Sequence, residues 1–186
     1  MRMKKLLFVV VVIISSVGAK AQMLALNTDV MLDAFQTPNL GVEIVTGERS
    51  TLGLNVFGNH NPWGVDMRIT GVQPEYRYFI SGRPMHKLFV GLGAIGADYD
   101  ISWKGKKYDG MLFGGGLTFG YVLNLSQRFN IDFHAGFGLL FYKHSEYYKN
   151  DSYKEDFYVG GVPETNADGY MLMPTRIGVS VSYILK

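Results

Sequence analysis

His144 and Ser145 stand side by side, with Glu146 next to them and Glu155 further along. An imidazole, a hydroxyl and a carboxylate are the groups of nucleophilic hydrolysis: the ring takes the hydroxyl proton and the acid orients the ring. Neighbours on an extended chain leave on opposite sides, however, so His144 and Ser145 pair only if the backbone bends there. His60 and His86 fall at opposite ends of the architecture read below and have no means of cooperating. No catalytic residue is therefore expected. The chain also lacks cysteine and any paired-histidine spacing, so no metal site is expected either.

Gly91-Leu92-Gly93-Ala94-Ile95-Gly96 matches the glycine spacing of a dinucleotide loop. That loop works where it joins a strand to the first turn of a helix. Here β-type sequence continues on both sides, so the glycines are read as making room inside a narrow barrel, and no cofactor is expected.

A third set consists of charges. Asp29, Glu43, Glu75, Arg77, Asp132, His134 and Arg176 each fall on the small or polar side of an alternating stretch. Acids and bases sharing one interior have to pair, because a lone buried charge is very costly. The expectation is a salt-bridged plug that holds strand register, the alternative being a proton or ion path, or a gate. A fourth set, Tyr147, Tyr148, Tyr153, Phe157 and Tyr158, is interleaved with Lys, Asp and Glu. Tyrosine offers large contact area at small entropy cost, which suits a surface recognition loop. A lid over the barrel mouth is the other reading.

The elements that position these residues are strands. In the stretch 128–142, Phe129, Ile131, Phe133, Ala135, Phe137, Leu139 and Phe141 alternate with Asn130, Asp132, His134, Gly136 and Gly138 until Leu140 breaks the pattern. Period two is the mark of a strand. One face is large and aromatic, the other small or polar, and a membrane barrel turns the first toward lipid and the second toward its lumen. Similar alternation places further strands at 24–33, 40–44, 52–57, 71–80, 87–101, 111–125 and 175–185. Pro74 suggests a bulge in the fourth. Short turns alternate with longer polar loops at 58–70, 102–110 and 143–170, the asymmetry of outer-membrane barrels. Trp63, Tyr99, Trp103 and Tyr108 would form an outer aromatic belt, and Phe79, Phe89, Phe129 and Tyr183 an inner one. The fold class expected is all-β: an eight-stranded, antiparallel, closed transmembrane barrel over residues 22–186.

Residues 1–21 read as a secretory signal peptide: a basic MRMKK, an apolar LLFVVVVIISSVG, and Ala19-Lys20-Ala21 as the cleavage site. Their removal takes the chain from 18 basic and 16 acidic residues to 14 and 16, a formal charge of −2. A near-neutral mature chain gives no electrostatic reason to expect nucleic acid. Beyond the leader no apolar run approaches the ~18 residues of a membrane helix, so a membrane location requires a closed barrel.

The segments Thr37-Pro38-Asn39-Leu40-Gly41-Val42-Glu43 and Val72-Gln73-Pro74-Glu75-Tyr76-Arg77-Tyr78, with the later glycine-rich aromatic strands, resemble a domain of unknown function, number 3575. It occurs in exported proteins of Bacteroides-type bacteria, and the resemblance spans nearly the whole mature chain. It implies a small outer-membrane barrel, sometimes encoded near fimbrial genes, with no catalytic residues to carry over. The C-terminus departs from general outer-membrane practice, since Tyr183 is followed by Ile184, Leu185 and Lys186 rather than ending the chain. The expected role is non-enzymatic: a monomeric barrel in the outer membrane of a Gram-negative cell. Its partners would be membrane lipid and surface or fimbrial proteins, in their assembly or anchoring. The alternatives are a lipid-modifying barrel enzyme and a soluble periplasmic barrel that binds an apolar ligand.

Overall fold

The computed structural model describes residues 23–148, 158–159, 162–163 and 167–185. The leader expected over residues 1–21 lies outside them. The strands are β1 (Leu24–Asp29), β2 (Asn39–Val45), β3 (Ser50–His60), β4 (Met67–Phe79), β5 (Lys87–Trp103), β6 (Lys106–Asn124), β7 (Phe129–Tyr148), β8 (Tyr158–Val159), β9 (Val162–Pro163) and β10 (Ala167–Ile184). One five-residue helix, α1 (Val30–Ala34), and a 3-10 turn at Pro62–Gly64 are the helical pieces among the described residues.

Eight antiparallel strands form a single sheet in the order β1-β10-β7-β6-β5-β4-β3-β2 that closes on itself as a barrel. The closing seam runs from Ala25 opposite Ile184 to Asp29 opposite Ser180. β8 and β9 pair with each other outside the ring.

The two faces of the wall are inverted relative to a soluble barrel. Phe133 is 47% exposed and Leu117 66%, whereas Asp132 is 2% exposed and Arg77 4%. Leu40, Leu54, Val72, Val90, Phe119, Phe137 and Ile177 join the outward set. Leu140 does not end the alternation: it is buried, on the inward parity of its strand. The buried apolar cluster is small, Phe79, Phe89 and Val122, and lies toward the end where β4 leaves and β5 enters.

Several strand limits differ from the sequence reading. The first strand stops at Asp29 rather than continuing to Asp33. Asp29 caps a helix instead, accepting from the amides of Met31 (3.0 Å) and Leu32 (3.4 Å). The loop read over 58–70 shrinks, because His60 pairs with Arg68 and both strands run on. The charged loop read over 102–110 reduces to a tight turn at Lys104 (φ 50°) and Gly105 (φ 80°), left-handed at both positions as a type I′ hairpin turn requires. The long loop read over 143–170 is likewise shortened, with β7 continuing to Tyr148 and β10 beginning at Ala167. β1, with 6 residues, is shorter than the 24–33 read for it, and β2, with 7, slightly exceeds 40–44, while β5, β6, β7 and β10 have 17 to 20.

Pro74 produces no bulge. Register is unchanged across it, with Val72 opposite Gly96 and Glu75 opposite Gly93, and only the rungs at Gln73 and Pro74 are missing. The ring's irregularity falls at another proline: Pro174 faces Phe137 and Arg176 faces Gly136, leaving Thr175 as the extra residue.

The aromatic belts need correction as well. Phe79 and Phe89 are 0% and 1% exposed and fill the interior, with ring centroids 5.6 Å apart, while Tyr99 is buried too. Phe79 and Phe89 share the inward parity of Arg77 and Gly91, and Tyr99 that of buried Ala97. Trp63, Trp103 and Phe129 remain exposed.

Candidate functional site: the charged interior

The interior is built by strand periodicity. Residues two apart share a face, so β4 presents Gln73, Glu75, Arg77 and Phe79 together, and β7 presents Asn130, Asp132 and His134. β1 contributes Asp29, β2 Glu43 and β10 Arg176.

Arg77 is the centre. Its guanidinium reaches Asp132 (Nη1 to Oδ2, 2.6 Å), Glu75 (Nη2 to Oε2, 2.8 Å) and Glu43 (Nη1 to Oε2, 3.4 Å). Its carbon atom Cζ lies 4.5 Å from the Phe89 ring centroid. One planar cation thus serves three carboxylates from three strands, with a fork of five donors spread wider than the three on a compact lysine ammonium. Arg176 donates to the same Glu75 oxygen at 2.8 Å. Thr51 donates to Glu43 Oε1 at 2.6 Å. His134 stands between two acids, Nε2 at 3.0 Å from Asp29 Oδ2 and Nδ1 at 3.8 Å from Asp132 Oδ1. Asp29 therefore has two tasks, holding the imidazole with one oxygen and capping α1 with the other.

The seven residues read from the sequence as an interior set lie in this one assembly. Four carboxylates face two guanidiniums and one imidazole, so negative charge exceeds positive even with the imidazole protonated. Gln73 lines the same interior on the face of Glu75 and Arg77, and so do Thr51, Phe79, Phe89 and Thr118, which were missed. Their signal was parity: Phe79 is two residues from Arg77, and Phe89 two from Gly91. Judging them by hydrophobicity alone assigned both phenylalanines to the wrong face. Among the described residues no group of His, Asp and Glu is arranged to hold a metal ion.

The glycine motif lies wholly within β5 and opens no helix. A Cβ on Gly91 would sit 2.7 Å from Thr118 Oγ1 and one on Gly93 2.9 Å from Thr118 Cγ2, so these glycines make space for a threonine on β6. Gly96 has nothing within 4 Å of that position.

At the far end of the ring His144 points inward into a group of tyrosines. Its Nδ1 is 2.7 Å from the Tyr99 hydroxyl, its ring stacks on Tyr142 at 5.2 Å, and Tyr108 meets it edge-on at 5.5 Å. Ser145 has the opposite parity on the same strand, so the two do not converge. Glu146 pairs instead with Lys106, whose ammonium also lies 5.2 Å over the exposed Tyr148 ring. Above the outward apolar residues of β6, Asp109 faces Asp100 across the ladder. Partial burial and that neighbouring carboxylate raise its pKa. Of the tyrosine-rich set, Tyr148 is on the end of β7. Tyr147 and Tyr158 have described backbone on β7 and β8 but their side chains lie outside the description. Tyr153, Phe157 and the candidate acid Glu155 fall outside the described residues.

A family model described as Protein of unknown function (DUF3575) matches residues 6–185. The chain belongs to that family. No curated protein and no solved structure matches it.

Proposed function

We propose that this protein is a non-enzymatic outer-membrane barrel of a Gram-negative cell, exported by a cleaved leader. Its charge-paired interior is closed to solutes, and its outer end serves a structural or interaction role. The observation that carries this reading is the inversion of the wall, large apolar and aromatic side chains outside and paired charges within. A bilayer supplies the environment in which that arrangement is stable. β3 to β7 and β10, with 11 to 20 residues each, meet or exceed the roughly 9–11 that a tilted spanning strand needs. On the short β1 and β2 side, exposed Val30 and Met31 of α1 extend the apolar surface. Arg77 and its three carboxylates, backed by Phe79 and Phe89, favour a plug over a pore.

The interaction role is assigned to the outer end, where Tyr148, Trp63 and Trp103 are exposed and the tyrosine-rich segment departs from β7. Assembly or anchoring of fimbria-like appendages is the partner class suggested by the family resemblance alone. Membrane fractionation with heat-modifiable gel migration tests the location, and a chain that stays soluble without detergent overturns it. Planar-bilayer recording tests the plug, and a large stable conductance contradicts it. Deletion of 149–166 in the native host, with barrel assembly verified by gel shift, tests the interaction role through cross-linked partners and surface appendages. If both persist while His144→Ala alters membrane lipid, a lipid-modifying enzyme replaces this reading.

A further inference from the structure

Four buried polar atoms just beyond the charge network have no hydrogen bond of ordinary length, Gln73 Oε1, Glu75 Oε1, Thr118 Oγ1 and Thr175 Oγ1, although the Thr118 hydroxyl is close enough to the Glu75 carboxylate to favour its charge. Their residues line one small cavity, together with Gly93 and Arg176. Gln73, Glu75 and Thr118 are each at least nine-tenths buried. The orientation of the Gln73 amide is set by its own bond, since Nε2 donates to the Thr175 carbonyl at 3.1 Å and leaves Oε1 as the free end. Glu75 commits Oε2 to both arginines and leaves Oε1 open.

We propose that this cavity is a binding site for one water molecule that bridges β4, β6 and β10. The donor inventory selects the occupant. Gln73 Oε1 and Glu75 Oε1 only accept, whereas the two threonine hydroxyls can donate. A water has two protons to give and two lone pairs to fill, which complements that set atom for atom. The Arg176 guanidinium on the cavity wall opposes a cation there, and the Glu75 carboxylate opposes an anion.

The wall is built to leave the space. The bulge turns Thr175 into the ring as an extra residue. Glycines clear its surroundings, since a Cβ on Gly136 would come within 2.8 Å of Thr175 Oγ1 and one on Gly93 within 2.9 Å of Thr118 Cγ2. The missing rungs at Gln73 and Pro74 lie at the same level, so the water forms a cross-ring tie where the β4–β5 ladder is interrupted. This also gives Gly91 and Gly93 a purpose that their nucleotide-like spacing does not suggest.

The test uses the full chain refolded in micelles with 13C-labelled threonine methyls and bulk water as the probe. Water-to-methyl cross-relaxation at Thr118 and Thr175 should show the sign of a long-lived bound water. Fully buried Thr51, bonded to Glu43, should show none. Thr175→Val should abolish the Thr118 signal, and if that variant does not fold, the unmutated spectrum decides alone. Absence of the signal at Thr118 and Thr175 overturns the site. So does a Thr118 methyl shift on replacing choline chloride by sodium or ammonium chloride at equal ionic strength, which identifies an ion instead.

Discussion

Arg77→Met removes the cation shared by Glu43, Glu75 and Asp132 and leaves a side chain of similar reach against Phe89. Before the change, four interior carboxylates face two guanidiniums and His134. Afterwards Glu75 keeps Arg176 at 2.8 Å, Asp132 keeps His134 only at 3.8 Å, and Glu43 keeps the Thr51 hydroxyl but no charged partner. Breaking one buried pair by deleting a partner costs about 3–5 kcal/mol. Three pairs share one guanidinium here, so the losses are not additive, and the expected destabilisation is at the upper part of that range, about 5 kcal/mol. Arg77→Lys should fall between, because the charge is kept but three donors on one compact nitrogen replace the wider planar fork of five that spans Glu43, Glu75 and Asp132. The decisive comparison is Arg77→Met combined with Glu43→Gln and Asp132→Asn, which should recover most of the loss by removing the uncompensated charge. Urea titration of the refolded barrel, followed by circular dichroism and the heat-modifiable band, measures each variant. A cost below about 1 kcal/mol for Arg77→Met, or failure of the amides to recover stability, would refute the claim that this network holds the ring.

Phe79→Ala, which empties a fully buried site against Phe89, should cost about 3–5 kcal/mol in the same titration. Gly116→Ala should prevent assembly, because its Cβ would lie 2.1 Å from the Phe137 carbonyl oxygen, whereas Gly96→Ala should assemble normally with open space around it; the gel-shift assay separates the two. Asp109→Asn should stabilise the protruding β5–β6 hairpin by a few tenths of a kcal/mol, since like charges directly opposed are destabilising. Hydrogen exchange on that hairpin reads the effect. In the unmutated chain the raised pKa of Asp109 means the folded state holds its proton more tightly. That contribution favours folding at low pH and is lost as pH rises through the folded pKa, so the gain from Asp109→Asn should appear at neutral pH and vanish in acid.

Side-chain parity was legible in the sequence, because alternation is a property of a few consecutive residues and needs no partner. It assigned Phe133 and Leu117 to one face and Asp132, Arg77 and Arg176 to the other. It also carried information that hydrophobicity obscured, since Phe79 and Phe89 share parity with Arg77 and Gly91 yet were placed outside for being aromatic. The partners themselves were not legible. Arg77 meets Asp132 across 55 positions, Arg176 meets Glu75 across 101, and His134 meets Asp29 across 105. Such pairs are set by the stagger of the strands when the ring closes, a quantity that no local pattern contains. Strand ends were hidden for a related reason. Polar residues such as Ser102–Gly110 look like a loop, yet a hairpin rising beyond the apolar band keeps its ladder while both faces become polar. Asp29 ends β1 because Asn39, ten positions away, returns to bond its backbone while its own carboxylate caps α1. Period two thus determined the face of each side chain, and closure of the ring decided which charges meet and where each strand stops.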